Sequence, residues 1–242
     1  MLCKWEELPE KMQNPSVKPY YDRLNGKKSR LALKRLFDIV VSFFALLLLS
    51  PVFLITAIAI KLDSPGPVFF RQERVTQYGK TFRIFKFRSM YADSGNGTSL
   101  TVKNDMRITK TGEFIRKFKI DELCQLIDVL RGTMTLVGTR PEVPKYVEKY
   151  TDEMYATLLL PAGITSKASI VYKNENELLE GAQDPEKIYF EQILPGKMKY
   201  NLEAIAKFGF TNEFKLLIMT ALAILGKDYS EKEEAHQNAE KI

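Results

Sequence analysis

Residues 36–60 form an apolar run whose only charged member is Asp38, and Ser50-Pro51 lies inside it. A helix crosses the hydrocarbon of a bilayer with roughly 20 apolar residues, so length alone allows a single spanning helix. Proline removes a backbone N–H and clashes with the preceding turn, which kinks or breaks a helix near Pro51 and leaves two arms too short to cross comfortably. A hairpin that enters and leaves one face therefore stands beside the kinked spanning helix, since neighbours that satisfy the freed carbonyl make proline tolerable in a span. Lys27, Lys28, Arg30, Lys34 and Arg35 precede the run and Lys61, Arg71 and Arg74 follow it. Positive charge on both flanks assigns neither to one side, and Asp38 pairs equally well with Lys34 or Arg35 in either arrangement. A cleaved signal peptide is not expected, because more than 30 polar and charged residues come first and a signal core is typically about 7–15 residues.

With 242 residues, 45% of them hydrophobic and 11% aromatic, the chain has enough material for one compact domain in addition to this segment. Cys3 and Cys124 are too few and too far apart to suggest a disulfide framework, which fits a reducing compartment. The one histidine, His236, sits in a polar tail, so a Ser-His triad and zinc-type ligand spacing are excluded and any metal must take oxygen ligands. The net charge of +6 points to an anionic partner: nucleic acid, a phosphorylated substrate or acidic headgroups.

Punctuation divides the rest. Pro9, Pro15, Pro19 and Gly26 predict a mostly irregular extension over 1–30, ahead of the membrane segment at 31–62. Asp63-Ser64-Pro65-Gly66-Pro67 reads as a turn, followed by strand candidates at 68–71 and 81–90 that suit a hairpin. The Gly- and Ser-rich stretch 91–104 reads as a loop placed to act as a lid, and helices are expected at 111–118 and 121–130, before Gly132. These belong to a catalytic or binding domain over 63–200. Apolar residues in 201–226 form helices either of the core or of the membrane interface, since the purely apolar part, 216–225, is too short to span; 227–242 is a polar tail. The class is α+β, mostly helical.

Alternation along the strand at 82–88 puts Lys86 and Arg88 on one face and Phe85 and Phe87 on the other, a cationic clamp backed by apolar packing. A solvated basic strand gives the same pattern, and a nucleic-acid platform would place rings on the basic face instead. Adjacent acids at a helix start, such as Asp121-Glu122, ordinarily complement the helix dipole. Here Arg107, Arg116, Lys117 and Lys119 precede the pair and Arg131 and Arg140 follow it. A carboxylate among such cations stays ionised, and is then available as a nucleophile or metal ligand.

Taken in order, Lys34-Arg35-Leu36-Phe37-Asp38, Ser50-Pro51, the stretch from Asp63-Ser64-Pro65-Gly66-Pro67 through Arg71-Gln72-Glu73-Arg74-Val75, Phe85-Lys86-Phe87-Arg88-Ser89-Met90, Arg107-Ile108-Thr109, Asp121-Glu122-Leu123, Val137-Gly138-Thr139-Arg140-Pro141 and Gly163-Ile164-Thr165 resemble the bacterial monotopic phosphoglycosyl transferases, also called polyprenyl-phosphate sugar phosphotransferases. The likeness runs from Lys34 to Thr165. It departs at Thr139, where a second proline is usual, and at Ser166, where glycine is common. The resemblance implies transfer of a sugar-1-phosphate from a UDP-sugar to a membrane polyprenyl phosphate with release of UMP. It further implies a re-entrant helix broken at Ser50-Pro51, interfacial amphipathic helices, membrane lipids as partners, and a catalytic domain on the cytoplasmic face of the bacterial inner membrane. Carried over by position, Asp121 is the nucleophile and Glu122 its partner, and Arg116 and Arg140 match basic positions near that site; the chemistry so implied makes Asp121 and Glu122 candidate ligands of Mg2+ and Lys86, Arg88, Arg107, Arg116 and Arg140 candidate phosphate-binding cations. Two anions meet in such a reaction, so cations placed beforehand are what the chemistry requires. The competing expectation is a membrane-anchored basic protein that binds nucleic acid or acidic lipid; on the transferase reading no nucleic acid is expected.

Overall fold

The computed structural model describes residues 2–92, 105–173, 175, 184–224 and 226–227. The lid expected at 91–104 and the tail at 227–242 lie almost wholly outside these residues. Helix α1 (Lys18–Asn25) leads into α2 (Lys28–Asp63), and the hairpin β1 (Phe69–Val75) and β2 (Thr81–Phe87) follows. Then come α3 (Lys110–Lys117), α4 (Ile120–Leu123), α5 (Leu126–Arg131), β3 (Met134–Val137), α6 (Pro144–Val147), β4 (Ala162–Thr165) and α7 (Lys167–Val171). The C-terminal part holds α8 (Pro185–Ile188), α9 (Leu194–Ala206) and α10 (Phe210–Ile224). The chain is mostly helical with two small sheets, as expected.

Helix α2 runs without division through Pro51, so Ser50-Pro51 does not split it into two elements. The reason is local. Pro51 has no N–H to give the carbonyl four residues back, and Ser50 Oγ donates to that carbonyl, Leu47 O, at 2.8 Å. One face of α2 is buried in two stretches, at Lys34, Asp38 and Ser42 and again at Thr56 and Ile60, with no buried residue between them. The opposite face exposes Phe43, Phe44, Leu47, Leu48, Leu54 and Ile55. Arg35 donates to Val129 O at 2.6 Å and Leu130 O at 3.0 Å, covering the bare carbonyls at the end of α5. Asp38 accepts from the Thr135 hydroxyl in β3, and Lys34 bridges to Glu213 of α10 at 2.7 Å. At the far end, Asp63 accepts from Thr111 N at 2.8 Å.

The hairpin pairs antiparallel, Phe69 opposite Phe87 and Val75 opposite Thr81, and is longer on its first strand than the sequence reading had it. The helix expected over 121–130 is two short helices, parted at Cys124 and Gln125. Sequence reading did not find β3 and β4, which pair in parallel with Met134 opposite Ala162 and Val137 opposite Thr165. Beyond their ends, Gly138 N donates to Thr165 O at 2.9 Å and Gly163 N to Thr139 O at 2.8 Å. A Cβ on Gly163 would sit 2.2 Å from Gly138 N, so only glycine lets these backbones meet.

The expected irregular extension is a correction. Residues 2–24 build two short 3₁₀ turns and α1, and Leu8, Met12, Val17 and Leu24 join Tyr146, Leu159, Tyr189 and Met198 in the largest apolar cluster. Prolines hid this, because the segment is packed without a repeating period. Two smaller clusters lie under α2: one of Ile84, Val129, Met134 and Leu136, the other of Ile60, Phe87, Ile115 and Cys124. Leu24 is fully buried, so Leu24→Ala is expected to lower unfolding free energy by about 2–5 kcal/mol, read from denaturation of the purified chain.

Candidate active site

Three segments meet at Asp121-Glu122. The end of β2 supplies Lys86, the backbone stretch held by the Gly138–Gly163 contact supplies Arg140, and α4 carries the acids themselves. Glu122 is gripped. Arg140 reaches both of its oxygens, Nη1 to Oε2 at 3.1 Å and Nη2 to Oε1, and Lys86 Nζ lies 3.1 Å from Oε1. Asp121 is 8% exposed and much less held: its Oδ2 is 3.8 Å from Lys86 Nζ, and its buried Oδ1 meets no hydrogen-bond donor among the described residues.

Their electrostatics differ accordingly. Burial raises the pKa of Asp121; Lys86 opposes that rise, the negative charge of Glu122 adds to it, and Lys119 and Arg116 oppose it. Burial acts on Glu122 in the same direction, yet Arg140 and Lys86 outweigh it and hold the carboxyl well below its usual range. The Arg140 guanidinium is raised in turn by Glu122. Cys124, one turn on, donates its thiol to Asp121 O at 3.2 Å, and burial pushes that thiol up to about 12, so it is no nucleophile.

Of the five expected phosphate-binding cations, Lys86 and Arg140 are at the pair. Arg116 is near enough to act on Asp121, and its nearest partner is Ser89 Oγ at 3.5 Å. Arg88 is a correction: it is buried and donates to Pro65 O at 2.6 Å and Ser64 O at 2.7 Å, fastening the turn after α2. Alternation gave Arg88 the face of Lys86, but the strand ends at Phe87 and the pattern ends with it. Arg107 is engaged by Asp105, Nη2 to Oδ2 at 2.6 Å and Nε to Oδ1 at 2.9 Å. Phe87 points inward as expected, whereas Phe85 is half-buried with the guanidinium of Arg71 3.5 Å from its ring centre.

For the expected metal ligands the arrangement is unequal. Both Glu122 oxygens are occupied by cations, whereas Asp121 has Lys86 at 3.8 Å from Oδ2 and a buried Oδ1 without a donor among the described residues. Among the described residues no group of three or more His, Cys, Asp or Glu side chains is placed to hold a metal. Magnesium is commonly held by one or two carboxylates plus substrate phosphates, so Asp121 fits the ion and Glu122 does not.

The sequence reading missed two features. Behind Arg140, Tyr189 Oη donates to Glu142 Oε1 at 2.7 Å and Arg74 donates to Pro141 O at 3.3 Å, a polar backing assembled from distant segments. Lys119, just before α4, has φ 55° and ψ 25°, a left-handed backbone that only a glycine would have advertised.

Residues 29–227 match the family described as bacterial sugar transferase, and the chain belongs to it. It is 36% identical over 216 residues to the UDP-glucose:undecaprenyl-phosphate glucose-1-phosphate transferase of Escherichia coli K12, a match covering 87% of this chain and 44% of that protein. Over 145 residues it is 44% identical to a UDP-N-acetylgalactosamine-undecaprenyl-phosphate N-acetylgalactosaminephosphotransferase of Aeromonas hydrophila, 58% of this chain and 34% of that one. A putative undecaprenyl-phosphate N-acetylgalactosaminyl 1-phosphate transferase of Bacillus subtilis is 42% identical over 133 residues, 54% of this chain and 74% of that one. The chain thus spans less than half the length of the first two relatives. The resemblance read from the motifs holds.

Because the folded pKa of Asp121 is raised, its ionised form opposes folding as pH rises through that value. Asp121→Asn is therefore expected to raise Tm at neutral pH. Arg140→Ala leaves Glu122 buried without its main partner and is expected to lower stability by about 2 kcal/mol; the fully buried case is about 3–5 kcal/mol, and a third of the Arg140 side chain stays in water. Thermal melts of the two variants should move in opposite directions.

Proposed function

We propose that this chain transfers a sugar-1-phosphate from a UDP-sugar to undecaprenyl phosphate or a similar polyprenyl phosphate, releasing UMP and starting assembly of a glycoconjugate. The observation that carries this reading is the inequality of two adjacent carboxylates: Glu122 is locked by Arg140 and Lys86, while a buried oxygen of Asp121 has no donor among the described residues. A locked carboxylate serves as electrostatic anchor for the two cations; a free, desolvated one is the better nucleophile.

In the first step an Asp121 oxygen attacks the phosphorus that bears the sugar. The new O–P bond forms as the bond to the bridging oxygen breaks, and UMP leaves with that electron pair. In the second, an oxygen of the polyprenyl phosphate attacks the same phosphorus and the Asp121–phosphorus bond breaks, restoring the carboxylate. Lys86, on the Asp121 side of Glu122, is placed to meet the phosphoryl oxygens as charge develops, and Arg116 adds positive field. Magnesium, when bound, would supply further neutralisation of phosphate charge, with Asp121 as its protein ligand.

The membrane seat follows from α2. Its middle exposes apolar residues from Leu36 to Ile58, yet Arg35 near one end and Asp63 at the other fasten it to the same small domain. A straight span would send those ends to opposite sides, so we read α2 as re-entrant, with Pro51 at its depth. Exposed Phe210, Phe214 and Ile218 form one stripe of α10, suited to lie in the interface of the same leaflet. On this reading the domain faces the cytoplasm at the inner membrane, the side on which soluble nucleotide sugars are made.

Purified chain incubated with a panel of UDP-sugars and magnesium should release UMP with one of them and carry the phosphosugar mass on the peptide containing Asp121. Asp121→Asn should cut turnover by about 10³-fold or more while remaining folded; full activity in that variant overturns the reading. The raised pKa of Asp121 places the acid limb of the UMP-release profile above the usual aspartate range. Lys86→Met removes the largest opposing charge and should move that limb to still higher pH.

A further inference from the structure

Most of the cations near the site already have work. Lys86 and Arg140 hold Glu122, Arg107 holds Asp105, and Arg88 holds Ser64 and Pro65. An anionic acceptor that approaches a pair of carboxylates needs a cation that is not already paired. Lys119 is exposed, stands two residues before Asp121, makes no ion pair among the described residues, and its charge is felt by both Asp121 and Glu122.

Lys119 is also held in place against its own preference. Its φ of 55° lies in the left-handed region, where a side chain crowds the backbone. The turn is closed around it by Lys119 N donating to Arg116 O and Glu122 N donating to Lys119 O, both at 3.2 Å. Glycine would take this backbone without strain, so the strain at Lys119 points to a use for its side chain.

Next to Lys119, α3 turns an apolar surface outward. Phe114 and Phe118 are 59% and 46% exposed with ring centres 4.7 Å apart, and Lys117 Nζ lies 5.7 Å from the Phe118 ring centre. Rings followed by an ammonium that is unpaired among the described residues match a molecule with a hydrocarbon chain ending in phosphate, and a nucleotide sugar has no such chain. Resting on the transfer reaction above, we propose that Lys119 receives the phosphate of the polyprenyl acceptor while Phe114 and Phe118 take its first isoprene units. Lys119 then positions the acceptor for the second step and has no dedicated part in holding the nucleotide.

The test uses full-length chain in lipid nanodiscs with a UDP-sugar that the unaltered chain turns over, and reads the two steps separately: the UMP burst without acceptor, and the KM for undecaprenyl phosphate. Lys119→Gly suits the left-handed backbone, so Tm should not fall. Its KM for undecaprenyl phosphate should rise about tenfold, the loss of one charge-assisted contact, while the UMP burst stays stoichiometric. Lys119→Arg should restore most of the loss. An unchanged KM in Lys119→Gly, a burst that falls as far as the acceptor step, or no rescue by arginine each overturns the assignment. Unaltered chain that releases no UMP with any UDP-sugar refutes the transfer reaction itself, and the assignment with it.

Discussion

The fork between Arg140 and Glu122 organises everything around it. A buried carboxylate is tolerated only when it is paired, and a two-pronged guanidinium fixes both distance and orientation. To present that guanidinium, the backbone around Gly138 must lie against that around Gly163, and β3 and β4 must pair side by side to bring them there. Thr135 of β3 is bonded to Asp38, so the long helix is tied into the same frame. One ion pair, two glycines and one threonine link the long apolar helix to the acidic pair.

Within that frame, two neighbours of identical chemistry acquire opposite characters. Residues 121 and 122 of a four-residue helix point in different directions, and only Glu122 meets the fork. Burial with one distant cation raises the pKa of Asp121; burial with two close cations holds that of Glu122 well below the usual range. The division of labour is thus set by which side chain Arg140 reaches, and the helix dipole reading of adjacent acids does not capture it.

Much of this was legible in the chain. The apolar run, the hairpin and the acidic pair declared themselves through local periods and through motifs long enough to identify a family. What stayed hidden is long-range. The parallel pairing of four-residue strands leaves no period, the N-terminal segment packs through scattered residues between prolines, and the left-handed backbone at Lys119 has no glycine to announce it. Arg88 and Arg107 show the limit of reading cations by spacing: each is spent on a neighbouring oxygen that only the fold reveals.

The hydroxyl of Ser50 on the carbonyl of Leu47 has a wider consequence. A proline defect in oil ordinarily demands a donor from another helix or from water. Here the donor is the adjacent residue of the same helix, so the defect is electrically closed on itself. Such a segment is portable: a domain that clasps it need supply no donor of its own for the Leu47 carbonyl.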